Sequence, residues 1–330
     1  MSIAILAGMT SIFMWPGYNG TKAKSAAPSE SSRRLFQFWY EVKVKNLPPD
    51  SKLVRAWLPL PKSNRHQTVS DLKVVSVHPF TIYEEEEYGN KILRIEAKDS
   101  VPESITVEVS FTVNRRTFSA LDESIAPREE FTKVALQRFL SPDRLIPITG
   151  QIEDLADKVV AKEMNSLQKG KAIYEYISGN MTYDKSGPGW GQGDAVYACN
   201  SLLGNCTDFH SLFIGMARAV GVPARFVMGF PLPSGKNKGD VLGYHCWAEF
   251  YVEGMGWIPV DASEASKHPE LREFYFGNLD PNRVELTIGR DIQLDPDQTI
   301  APQNFFIYPV VVVNHALYPD VQTLFHFANN

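Results

Sequence analysis

Cys206 stands where a helix has to begin. Gly204 resists helical extension and Asn205 is a capping residue. Phe209, Leu212, Phe213, Met216 and Val220 then recur at the three- and four-residue intervals of an amphipathic helix that stops at Gly221 and Pro223. A thiol in the first turn of such a helix meets unpaired N–H groups and the positive end of the helix dipole. Both favour the nucleophilic thiolate over a thiol whose ordinary pKa is about 8.5. A thiolate also needs a partner that takes its proton and later gives one to a leaving group, and histidine does both near neutral pH. Of the seven histidines, His245 begins an apolar strand pattern, and Asp261 closes the next one. If those strands form a hairpin centred on residue 253, with Glu253 and Gly254 in the turn and Trp257 opposite Glu249, then His245 and Asp261 face each other on one side. Asp261 then accepts a hydrogen bond from one imidazole nitrogen and leaves the other aimed at Cys206.

Blander readings compete with this one. A lone buried cysteine is usually structural, and His210, one helical turn after Cys206, would complete a Cys206/His210/His245/Asp261 zinc set. The capped helix start combined with the His–Asp hairpin favours nucleophilic chemistry over both. Cys199 and Cys246 read as inert thiols. Asp208, in the first turn, reads as a partner of the helix dipole, with contact to a substrate amine as a second role. Trp247 and Trp257 read as core aromatics lining the cleft, with substrate recognition second.

The elements that must position these residues come in three stretches. Residues 35–120 alternate apolar and polar side chains in short runs separated by Pro, Gly, Asn and Asp, which predicts an antiparallel β-sandwich. The acidic run Glu84, Glu85, Glu86 and Glu87 lacks the Asp and Gly spacing of a calcium loop and reads as a solvated edge. Residues 121–330 begin with helical spacing at 131–140, 152–163 and 166–179, then a glycine-rich loop at 185–193 that reads as a mobile wall beside the site. They return to strands at 224–230, 244–252, 257–261, 284–288 and 305–314, the last two completing the catalytic domain. Residues 1–34 hold an apolar run at 3–15, too short to span a bilayer that needs about twenty residues. With the small-residue cluster at 23–27 it reads as an export signal, although no Lys or Arg precedes it. A periplasmic or extracellular location is therefore expected, with no stable membrane span.

The net charge of −5 and the lack of any basic run argue against nucleic acid as a partner. Three cysteines with no C-x-x-C spacing exclude a disulfide scaffold and leave at least one free thiol.

Taken together, Gly204-Asn205-Cys206-Thr207-Asp208-Phe209-His210, Gly221-Val222-Pro223-Ala224-Arg225, His245-Cys246-Trp247-Ala248-Glu249 and Gly256-Trp257-Ile258-Pro259-Val260-Asp261 resemble the transglutaminase-like superfamily, best over residues 154–263. The resemblance implies an α+β, papain-like core in which a nucleophile helix packs on an antiparallel sheet. It implies Cys206 as nucleophile, His245 as base and acid, and Asp261 as the residue orienting His245. The chemistry implied is acyl transfer from a peptide amide to water or an amine through a thioester, on a peptide or protein substrate such as cell-wall peptide. Members of the superfamily often stabilise the oxyanion with the cysteine's N–H and an upstream Trp or Gln, and Trp190 and Gln192 are the nearest such residues. The calcium segments of the animal enzymes are not recognisable, so no metal or other cofactor is expected. The alternative is a non-catalytic binding or scaffolding module, in which Cys206 would be alkylated no faster than Cys199 and Cys246.

Overall fold

The computed structural model describes residues 32–121, 130–297 and 299–330. The apolar run at 3–15 and the cluster at 23–27 lie outside them. Among the described residues, no helix is long and apolar enough to cross a membrane.

Alternation of period two builds the first layers. β1 (Arg33–Val44) buries Phe36, Phe38, Tyr40, Val42 and Val44, every second residue, against the core. β2 (Leu53–Leu60), β3 (Gln67–Ser76), β4 (Phe80–Glu84), β5 (Lys91–Lys98) and β6 (Ile105–Arg116) follow. They sort into two antiparallel sheets, β3–β6–β1 and β2–β5–β4, whose apolar side chains share one core. The buried Tyr40 hydroxyl donates to the Pro59 carbonyl at 2.8 Å and so links the sheets without leaving a polar atom stranded. Within the acidic run, Glu85 is buried and accepts from the N–H groups of Glu87, Tyr88 and Asn90, while Glu84 pairs with Lys62 and Glu87 with Arg138. The run is a capped turn rather than a wholly solvated edge.

The tail departs from its expected place. Val310–Val313, shorter than the 305–314 strand read from the sequence, pairs with β2, and Val321–Asn329 pairs with β1. Each occupies a strand edge whose N–H and C=O groups would otherwise lack partners. Among the described residues of the tail, Arg283–Ile288 alone joins the sheet that carries His245, which runs Gly256–Val260, His245–Val252, Ala224–Pro231, Arg283–Ile288.

Three capped helices lead into that sheet. Ser166–Asn180 starts from an Asn165/Gln168 capping box, Ala195–Ser201 from Asp194, and Cys206–Ala219 from Asn205. The last is not the half-solvated helix its apolar spacing suggests, because every residue from Cys206 to Arg218 is buried. Its polar positions are anchored instead. Ser211 Oγ accepts from Arg290 at 2.6 Å, and Arg218 donates to Asp143 at 2.7 Å and to the carbonyls of Ser141 and Ala224. A polar side chain in such a position is tolerated only when it is hydrogen-bonded.

Candidate active site

The chain reaches Cys206 through a forced turn. Leu202 adopts a left-handed conformation (φ 51°) that ends the preceding helix, and Leu203–Gly204 bridges to Thr182–Tyr183 in parallel. Gly204 has φ 147°, and a Cβ there would lie 2.4 Å from Asp208 Oδ2, so glycine is required on both counts. Asn205 accepts from the Thr207 N–H at 2.9 Å, and Asp208 accepts from the Asn205 N–H at 2.9 Å. This reciprocal cap fixes Cys206 as the first helical residue, at the positive end of the dipole.

The hairpin that carries the other two residues has a register shifted by two from the expected one. Trp257 faces Tyr251 rather than Glu249, and Val252 faces Gly256, which centres the turn on Gly254. The tight turn with positive φ at Gly254 (71°) and Gly256 (81°) accounts for the slip. A shift of two keeps every side chain on its face, whereas a shift of one would have reversed them all. His245 and Asp261 therefore still meet, as a diagonal pair, with His245 Nε2 2.6 Å from Asp261 Oδ2. The other imidazole nitrogen is left for Cys206, whose thiol the neighbouring His245 helps to draw down.

The charges at this junction reinforce one another. The neighbouring Cys246 thiol is the largest influence drawing Cys206 well below the ordinary thiol range; burial opposes it, and the nearby His245 adds to it. Burial works to lower His245 but is outweighed by the Asp261 charge and hydrogen bond, which push it up to about 10. Burial likewise works to raise Asp261, and His245 followed by Arg283 hold it well below the carboxylate range. The three shifts run in the direction that favours thiolate, imidazolium and carboxylate together. Because the folded pKa of His245 is raised, its charge contributes stability that is complete below the ordinary value of 6.5 and is lost as pH climbs through about 10. Urea unfolding of the native protein is expected to weaken between neutral pH and pH 10 more than that of His245→Gln, and parallel pH curves would contradict the charged trio.

The remaining sequence-derived site residues are dispersed. Asp208 is fully buried and accepts from the N–H groups of Gly191 (2.7 Å), Gly193 (3.0 Å) and Asn205, so it ties down the glycine-rich loop and has no route to a substrate amine. Burial raises its carboxyl against the pull of those N–H groups. The loop's far end is thus fixed, not a free wall, and Arg290 and Asn304 hold it from outside through the carbonyls of Gly193 (3.0 Å) and Gln192 (2.8 Å). Replacing Asp208 by alanine strands the buried N–H groups of Gly193 and Asn205, each at about 1–3 kcal/mol, and frees the half-buried one of Gly191. A loss of roughly 3 kcal/mol or more in urea unfolding is expected, with faster hydrogen exchange at Gly191 and Gly193; unchanged exchange there would refute the tether.

Gln192 is exposed, and its hydrogen bonds run through its carbonyl; Trp190 is half-buried with the Lys185 ammonium 6.0 Å from its ring centre. Trp247 does not line a cleft. It is fully buried, with the guanidinium of Arg115 5.6 Å and that of Arg283 5.2 Å from its ring centre, and Trp257 packs with Phe131, Phe139 and Tyr251. Both ring nitrogens of His210 are committed to protein atoms, which takes it out of a zinc set. Burial raises the thiols of Cys199 and Cys246, the reverse of Cys206.

Arg283 was invisible to sequence reasoning. It lies 3.0 Å from Asp261 Oδ2 and also pairs with Asp280 at 2.6 Å, so it shares the carboxylate oxygen that binds His245. Its one signal is an arginine directly before the alternating apolar positions Val284, Leu286 and Ile288. Beside His245 opens a cavity of about 270 Å³ lined by Leu232, Glu264, His268, Leu271 and Arg283 among others.

Residues 153–262 match the family model of the transglutaminase-like superfamily. The chain carries a transglutaminase-like domain. An uncharacterized protein of Haemophilus influenzae is 29% identical over 294 residues, spanning 78% of this chain and 80% of that protein. The uncharacterized protein YebA of Bacillus subtilis is 26% identical over 133 residues, 36% of this chain and 18% of its own length. In three dimensions the chain resembles a candidate cysteine protease from Cytophaga hutchinsonii, with a TM-score of 0.55 at 19% identity over 91% of this chain and 99% of that one. That likeness is one of fold. The transglutaminase-like domain, with its helix on an antiparallel sheet and the strand-rich region before it, has the general architecture of cysteine-based peptidases and acyltransferases.

Proposed function

We propose that the protein is a cysteine-dependent acyltransferase or hydrolase acting on peptide amide bonds, with Cys206 as nucleophile, His245 as acid and base, and Asp261 orienting His245. The observation that carries this reading is the 2.6 Å bond from His245 Nε2 to Asp261 beside a helix-start thiol held far below its ordinary range. The Cys206 thiolate adds to the substrate carbonyl, forming a C–S bond and an oxyanion that the Cys206 N–H, at the helix start, is placed to receive. The oxyanion collapses, the C–N bond breaks, and the His245 imidazolium gives its proton to the departing nitrogen. Water or a second amine then attacks the thioester, passing its proton to His245 and releasing the thiolate. The cavity beside His245 receives the group that carries the departing or incoming nitrogen. Peptide or protein, including cell-wall peptide, is the substrate class, and export to the periplasm or beyond is part of the same proposal.

The test is mass spectrometry of peptide and cell-wall fragments incubated with the protein, with and without added amine, against Cys206→Ala. New carboxyl termini indicate hydrolysis and amine adducts indicate transfer. Product formation that survives the substitution would sink the mechanism.

A further inference from the structure

His210 is fully buried one turn into the Cys206 helix, and its two nitrogens point to opposite ends of the catalytic trio. Nδ1 lies 2.7 Å from the carbonyl oxygen of Cys206, and Nε2 lies 3.1 Å from the backbone nitrogen of Ala262, the residue after Asp261. A backbone N–H can only donate, so Nε2 must present its lone pair. The ring proton then sits on Nδ1 and is donated to Cys206. A helical carbonyl already takes the N–H four residues on and has a second lone pair free for this bond.

From these contacts we infer that His210 is a positioning residue, a neutral imidazole strut that fixes the Cys206 peptide at a set distance from the Asp261–Ala262 backbone and so sets the thiol against the His245 held by Asp261. The inference rests on the reading of Cys206 as nucleophile. A buried histidine that merely filled space would have bonds to any nearby backbone. This one joins the nucleophile's own carbonyl to the segment that carries its orienting acid, and no other described hydrogen bond spans the same two points.

The strut works only while neutral. A second proton on Nε2 would meet the Ala262 N–H head on. The groups facing the ring are the Asp261 carboxylate, with Oδ1 3.8 Å from Nε2, the Cys246 sulfur 3.7 Å from Nδ1, Cys206, and the His245 imidazolium. Burial lowers the ring's pKa, and the nearby Asp261 charge opposes that. In acid, protonation would exchange the Ala262 bond for Asp261 Oδ1 and draw that carboxylate away from His245.

The experiment compares native protein, His210→Phe and Ala262→Pro, which removes the donor from the other side and sets a ring carbon against Nε2 in its place. The readouts are kcat, KM, the melting temperature and the pH dependence of Cys206 alkylation by iodoacetamide. Either variant is expected to lose about 10²-fold in kcat, the cost of an ångström-scale misplacement, with KM little changed. The alkylation midpoint should move up by about one pH unit as the thiol drifts from the imidazolium, and the double variant should lose little more than either single one. A folded His210→Phe protein with native kcat and midpoint would overturn the inference. So would a native-like Ala262→Pro protein if the phenylalanine variant does not fold. Failure of the underlying reading looks different, since Cys206 in the native protein would then be alkylated no faster than Cys199 and Cys246.

Discussion

Replacing Cys206 by alanine is expected to lower amide turnover by at least ~10⁴-fold, the scale seen when the nucleophile of a cooperative triad is deleted, while the protein stays folded. No other thiol can substitute. Cys246 is fully buried with its thiol pushed well above the ordinary range, and Cys199 is half-buried and likewise raised. Alanine fills all but the sulfur's volume, and the cap at Asn205 and Asp208 does not involve the Cys206 side chain, so the fold should tolerate it. His245 and Asp261 keep their 2.6 Å contact in the variant, so any residual rate measures what binding and the oxyanion donors supply without a nucleophile. Quantitative mass spectrometry of a cleaved fragment reads the ratio directly. A loss of only a few-fold would mean the thiol is a bystander.

Asp261→Asn should damage both rate and stability, by separable amounts. The corresponding exchange in a serine triad costs about 10⁴ in kcat because the imidazole takes the wrong tautomer, and the same logic applies to His245 Nε2 here. Stability suffers because Asp261 also receives Arg283 at 3.0 Å, Ser263 Oγ at 3.1 Å and the Glu264 N–H at 3.0 Å, all buried or nearly so. Removing one side of a buried ion pair costs about 3–5 kcal/mol. Asp280 still neutralises Arg283, so the lower end of that range is expected. The Asp261 carboxyl is depressed in the fold, so its contribution is present above the ordinary value of 3.8 and fades as pH falls through the lower folded value. Urea unfolding at neutral pH should separate the two proteins, and the gap should close in strong acid. An asparagine variant with native kcat would remove Asp261 from the mechanism.

The alternation in β1 and the cap at Asn205 were legible because each is decided by neighbours in sequence: a period of two, or a side chain reaching its own next turn. The trio was legible for a related reason, since a two-residue error in the hairpin register leaves faces unchanged. What stayed hidden depends on distant partners. Asp208 sits in the first turn like any dipole partner, and nothing local says that Gly191 and Gly193 will close over it. Trp247 looks like a cleft aromatic until Arg115 and Arg283 come in against its ring. The polar side of the Cys206 helix looks solvated in sequence because the segments that bury it, around Asp143 and Arg290, lie far along the chain. The 305–314 run reads as part of the catalytic domain, yet its strand pairs with β2, because an apolar run states that a strand is buried but not which edge it fills.

Residues 321–329 lie between β1 and the Lys238–Asp240 strand that precedes His245, and Arg34 reaches Lys236, Asn282 and Asn329. Joining positions so far apart is thermodynamically mild, since loop-closure cost grows by only about 0.6 kcal/mol per doubling of length. It matters for the order of events during synthesis. The cysteine, histidine and aspartate all leave the ribosome before Arg283, Arg290 and the strand that steadies the approach to His245. A nascent chain therefore presents the three residues before their support, and the arrangement around Asp261 is complete only once Arg283 has joined it.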